Sequence, residues 1–149
     1  MKNETMFSSA TDEWATPKDF FDILNAEFSF TLDPCASDTN HKCEKYFTKE
    51  QNGLVRDWGK EVVFCNPPYG REIGKWIGKA IDSARCGATV VMLIHARIDT
   101  KWFHEMVCPN VEEIRFVKGR LKFGGSKNSA PFPSMVAVFT PESVLEEDE

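Results

Sequence analysis

Apolar and polar positions along this chain switch between two periods. Phe20, Phe21, Ile23, Leu24 and Phe28 recur at near-helical spacing directly after Pro17, a residue favoured in a first helical turn, which predicts a helix over residues 17–28. Ser29-Phe30-Thr31-Leu32 then reads as a short strand that stops at Asp33-Pro34, because proline cannot donate to a central ladder. That reading puts the Asp33 carboxylate at a strand's carboxyl end. Residues 36–58 are polar with weak periodicity, apart from a short strand expected around Lys45-Tyr46-Phe47-Thr48. Val62-Val63-Phe64-Cys65 is a compact apolar run that stops at Asn66-Pro67-Pro68, and residues 73–84 return to helical spacing with Gly87 as the expected C-terminal cap. Residues 89–94 give another β-branched strand, and a short helix is expected around Trp102 to Met106. Residues 111–117 and 134–140 are the last two strand candidates, joined by a Gly, Lys and Ser-rich loop. Strands alternating with helices predict a mostly parallel α/β sheet, and two final strands joined without a helix predict an antiparallel edge.

Length and composition narrow the picture. At 149 residues with 42% apolar and 28% charged positions, the chain fits one domain with a real core. We expect residues 1–141 to form that domain and residues 142–149 to form an acidic, flexible tail. No apolar run approaches the roughly 20 residues of a membrane span, and the first residues lack a basic flank followed by an apolar stretch, so a cytoplasmic location is expected. Five cysteines without paired short spacings argue for reduced thiols. Cys35, His41 and Cys43 do not extend into a second Cys/His pair at zinc-site spacing, so no metal is expected.

The net charge of −5 would disfavour nucleic acid if it were spread evenly. It is not: five acids lie at or beyond Glu142, leaving 18 acids against 18 bases in the rest of the chain. A neutral body is compatible with phosphate contacts from a local basic patch. Lys118, Arg120, Lys122 and Lys127 supply such a patch, interleaved with Phe123 and glycines in the loop before the last strand. The same pattern also suits a solvated hairpin tip.

Two predicted strands end in polar-proline sequences, Asp33-Pro34-Cys35-Ala36 and Asn66-Pro67-Pro68-Tyr69-Gly70, and ligands of open α/β sheets bind beyond the carboxyl ends of strands. Asp33-Pro34 alone is equally a common turn opener. Asn66-Pro67-Pro68-Tyr69 is more specific. The exocyclic amine of adenine is a weak nucleophile, its lone pair being delocalised into the ring. Two acceptors that hold both amine hydrogens draw the nitrogen toward tetrahedral geometry. An Asn side-chain carbonyl and the backbone carbonyl of the next proline form such a pair, stiffened by Pro67 and Pro68, and Tyr69 offers an aromatic face for a base.

On these residues the chain resembles the small phage-type DNA N-6-adenine methyltransferases, the phage Dam-like family. The resemblance runs from Glu13 to about Thr140. It is carried by Glu13-Trp14-Ala15-Thr16-Pro17, Thr31-Leu32-Asp33-Pro34-Cys35-Ala36, Asp57-Trp58, Asn66-Pro67-Pro68-Tyr69-Gly70, Ala96-Arg97-Ile98-Asp99-Thr100, Gly119-Arg120-Leu121-Lys122-Phe123 and Ala130-Pro131-Phe132-Pro133-Ser134. It implies a single-domain class I, Rossmann-like methyltransferase sheet that uses S-adenosylmethionine to methylate a flipped adenine of double-stranded DNA, in a protein of phage or prophage origin. It further implies Asn66, Pro67, Pro68 and Tyr69 as catalytic residues. Trp14, Thr16, Pro17, Asp33, Pro34, Cys35, Ala36, Asp57 and Trp58 would hold the donor, and Arg97 would join Lys118, Arg120, Lys122 and Lys127 on DNA.

Two departures stand out. Ser37-Asp38-Thr39-Asn40 replaces the glycine-rich donor loop of larger methyltransferases, and His95 stands where the family often has proline. The competing readings are a methyltransferase acting on protein glutamine or RNA, a cytosine-directed enzyme, and a non-catalytic nucleic-acid-binding module that kept the fold. Trp14 is equally suited to pinning the first helix, and Asp57 to a solvated position before a core Trp58.

Overall fold

The computed structural model describes residues 15–123 and 132–146. Helix α1 (Lys18–Phe28) follows Pro17 as predicted. Ser29 then takes a left-handed conformation, φ 56°, with its N–H on the Asn25 carbonyl, and Phe30 N–H bonds the Asn25 side chain. This cap occupies the residues expected to begin the first strand. Strand β1 therefore lies later, at Leu32–Ala36, and contains Pro34 rather than stopping before it. The ladder to β2 (Lys45–Thr48) tolerates the proline because its register shifts between Asp33 and Ala36, and such irregularities are where a missing N–H is harmless.

β3 (Val62–Cys65), α2 (Ile73–Arg85) and β4 (Thr89–His95) match the expected segments. α2 ends in a Schellman arrangement: Gly87 N–H bonds the Ala84 carbonyl, Ala88 N–H bonds that of Ser83, and Gly87 adopts the required positive φ of 114°. The predicted helix near Trp102 is a short turn whose residues Phe103–Val107 are π-helical. β5 (Glu113–Phe116) and β6 (Ser134–Phe139) complete the six-stranded sheet, in the order β2-β1-β3-β4-β6-β5. β1, β2, β3 and β4 run parallel, whereas β6 is antiparallel to both β4 and β5.

Strand alternation sorts the core into two layers. Val63, Cys65, Val90, Met92, Ile94, Met135, Ala137 and Phe139 face α2, whose Trp76, Ile77, Ala80, Ile81 and Ala84 form one helical stripe. Phe64, Val91, Leu93, Val136 and Val138 face α1 through Phe21 and Leu24. Beyond β6, Val144 is buried against the α2 layer, and Leu145 is tied by its N–H to Asn110 and by its carbonyl to Arg85. No described helix is long and apolar enough to cross a membrane.

Candidate active site

Because β1, β3 and β4 are parallel, their carboxyl ends share one edge of the sheet. The antiparallel β6 begins at that same edge, so the chain before it, including Phe132, arrives there too. A cavity of about 690 Å³ opens at this edge, within the range of small-molecule sites. Asp33, Pro34, Cys35 and Ala36 from β1 and Asn66, Pro67, Pro68 and Tyr69 from the loop after β3 line it together, joined by Thr16 from the segment before α1.

The Asn66 amide is held from two directions. Its Nδ2 donates to Thr16 Oγ1 at 3.1 Å, and its Oδ1 accepts from the Tyr69 hydroxyl at a long 3.4 Å. Spending the amide nitrogen on a buried hydroxyl fixes which end of the amide serves as acceptor. Burial raises the Tyr69 phenol well above its ordinary range, so the hydroxyl stays a donor. Asp33 is buried and caps its own turn: Oδ1 accepts from Cys35 N–H at 3.1 Å and Oδ2 from Lys42 N–H at 2.9 Å. Burial pushes its carboxyl upward against the pull of those two N–H groups. Cys35 Sγ lies 3.6 Å from Cys65 Sγ, burial pushes the Cys35 thiol up, and all five cysteines are free. His41 stacks on Tyr46 with ring centroids 3.9 Å apart and its Nδ1 lies 2.7 Å from the Cys43 carbonyl, while the Cys43 thiol is pushed up to about 12 by burial.

With two polar-proline loops now seen to meet in one cavity, comparison with known proteins is informative. The family described as DNA N-6-adenine-methyltransferase (Dam) matches residues 3–141. The chain belongs to this family. It is similar to a protein of Haemophilus phage HP1 named DNA N-6-adenine-methyltransferase, 33% identical over 143 residues that span 91% of this chain and 82% of the relative. A protein of the same name from Escherichia phage T1 is 36% identical over 112 residues, 74% of this chain and 46% of the longer relative.

Within this Dam-family chain the expected residues are placed unevenly. Thr16, Asp33 to Ala36 and Asn66 to Tyr69 share the cavity. Pro17 accepts the first helical bond, from Phe21 N–H, and is not part of the cavity wall. Asp57 is exposed and receives Gly59 N–H at 2.8 Å, and it too lies outside the wall. Trp58 is in the core, 1% exposed, with Nε1 on the Gly53 carbonyl at 2.9 Å. It acts on the cavity through Gly53, which packs so closely on Pro34 that a Cβ there would overlap the Pro34 carbonyl oxygen. Arg97, Lys118, Arg120 and Lys122 are exposed on segments that leave β4 and β5 at the cavity edge, whereas Trp14 and Lys127 lie outside the described residues.

The wall also contains residues to which the sequence assigned no site role: Asn40, Lys42, Thr48, Asn52, Trp76 and Phe132 among its polar and aromatic members. Asn40 and Asn52 stand in the stretch that lacks periodicity, and nothing local distinguishes them from ordinary turn residues. Trp76 reads from sequence as one member of the α2 core stripe, yet its buried Nε1 has no hydrogen-bond partner among the described residues.

Proposed function

We propose that this protein transfers a methyl group from S-adenosylmethionine to the exocyclic N-6 amine of an adenine flipped out of double-stranded DNA. The observation that carries the reading is the meeting of the Asp33 to Ala36 loop and the fixed Asn66 amide in one cavity at the carboxyl edge of the sheet. The wall fits the donor's chemistry. It mixes the apolar Ala36 and Leu54 with the polar Asn40, Thr48 and Asn52, and it adds an indole N–H in need of an acceptor, as an amphipathic nucleoside joined to an amino-acid arm requires.

When bound, S-adenosylmethionine supplies an electrophilic methyl group on a sulfonium. The chain's residues then have a positioning task. Asn66 Oδ1 and the Pro67 carbonyl accept the two amine hydrogens, and the incoming amine replaces the 3.4 Å bond from Tyr69 to Asn66. Thr16 keeps the amide from rotating. Holding donor and amine in line provides much of the rate. We read the sheet as a class I, Rossmann-like arrangement, with residues 1–141 as the methyltransferase domain and the exposed cations after β4 and β5 on the DNA backbone.

Incubation with tritium-labelled donor is expected to label DNA and not RNA or protein, with the label recovered as N-6-methyladenine. Asn66→Ala is expected to lower single-turnover transfer about 100–1,000-fold while donor affinity by calorimetry stays within about twofold. Label in protein glutamine or RNA, or a variant with more than half the wild-type rate, overturns the reading.

A further inference from the structure

His95 closes β4 and takes no part in the amine chemistry above. Its register partner across the sheet is Ser134, and its side chain shares the α1 face with Val91 and Leu93. There the imidazole packs between two rings, with centroids 3.4 Å from Tyr69 and 3.3 Å from Phe132, and all three residues line the cavity. Nε2 is buried and has no hydrogen-bond partner among the described residues, nor has Ser134 Oγ beside it. Burial, reinforced by the nearby Arg97 charge, lowers the imidazole to about 4, so at neutral pH the ring carries one N–H and one lone pair.

A phenylalanine would fill this space as a ring stacked between Tyr69 and Phe132 without burying an unsatisfied nitrogen. A buried nitrogen left unpaired is destabilising, and such an atom on the wall of the 690 Å³ cavity is explained by a ligand that pairs with it. We propose that His95 is a base-contacting residue whose Nε2–H donates to a ring nitrogen of the flipped adenine beside the amine held by Asn66 and Pro67. This rests on the reading of adenine in DNA as the substrate. N1 and N7 flank the amine, and both are lone-pair acceptors, which matches a neutral imidazole donor. Tyr69 covers the imidazole and also meets the rings of Phe123 and Phe132, so the incoming base reaches Nε2 by displacing the Tyr69 ring from the imidazole while its amine takes over the long bond to Asn66.

The test uses duplexes containing the site found by sequencing methylated host DNA, with adenine, 1-deazaadenine or 7-deazaadenine at the target. Single-turnover rates of wild type, His95→Phe and His95→Gln are compared on each. Wild type is expected to lose about tenfold on one analogue only, the value of one hydrogen bond in a closed site. His95→Phe is expected to lose a similar factor on adenine and nothing further on that analogue, while His95→Gln, which keeps a donor, restores part of the discrimination. Donor affinity should not change in either variant, which separates this role from a structural one. A His95→Phe enzyme as fast as wild type on adenine, or equal losses on both analogues in all three enzymes, overturns the proposal. No transfer by wild type to the adenine duplex overturns the substrate reading itself, and this proposal with it.

Discussion

Thr16 and Asn66 are separated by 50 residues and meet through one 3.1 Å hydrogen bond. The stiff turn that brings Asn66 to the cavity was legible from its two following prolines, since local stiffness is written in local sequence. The hydroxyl that fixes the amide was not legible in that role: the family resemblance assigns Thr16 to the donor, and a contact 50 residues away leaves no periodic trace. Asp57 shows how a local contact hides behind a residue type that suits a ligand: its carboxylate accepts from Gly59 N–H and stands outside the cavity wall. His95 is marked in the sequence only as a departure from the family's proline, and its packing is not legible there, its ring partners lying 26 and 37 positions away. Its lowered pKa has a consequence for stability. Between the ordinary value of 6.5 and about 4, the unfolded chain takes up a proton at this histidine and the folded protein does not, so its contribution to stability is lost as pH falls through that window. Asp33, raised by burial, works in the opposite sense, so the wild-type profile is a difference of two effects. His95→Phe removes only one of them. Its melting temperature relative to wild type is expected to rise steadily from pH 7 to pH 5 in calorimetric scans, and a constant gap would show that the imidazole is not held neutral.

At the scale of elements, the pattern of apolar positions located β2, β3, β4, β5, β6 and both helices, because burial on one face imposes a period on the sequence. It misplaced β1, where Pro34 looked like a terminator and is instead absorbed by a register shift. The shift is supported from below by the short 3-10 turn Gly53–Val55, whose first residue lies against the Pro34 backbone and is gripped by the Trp58 indole. Gly53→Ala must displace that backbone. It is expected to cost about 1–3 kcal/mol of stability, as overpacking does, and to weaken donor binding in calorimetry while leaving affinity for DNA unchanged. Equal donor affinity in the variant would detach the turn from the donor loop. The connection after β5 makes a separate contribution, since its exposed cations leave the sheet at the cavity edge. Lys122→Ala is expected to weaken DNA binding and flatten the plot of log affinity against log salt by about one unit of slope, with donor affinity unaltered. An unchanged slope would make Lys122 a solvated hairpin residue.

For the molecule as a whole, the sequence disclosed the class of architecture but not the order of strands, since period-2 patterns state which face is buried and not who lies beside whom. The element this leaves hidden is β6. All six of its residues are buried, and it fills the slot between β4 and β5 although it is the last of the described strands. A protein ended after Pro133 is therefore expected to lack cooperative unfolding by circular dichroism and to be cut rapidly by protease, whereas one ended after Leu145 keeps both its transition and its resistance. Because the strand that joins β5 to the rest of the sheet is supplied last, synthesis sets the timetable of assembly: the emerging chain carries β4 with an open edge, a template for pairing with other chains. The cavity, whose Tyr69 and His95 rest on Phe132 just ahead of β6, closes only when that strand arrives. A ribosome-bound nascent chain of this protein would accordingly carry its Asn66-Pro67-Pro68-Tyr69 loop for several seconds before the cavity wall is complete.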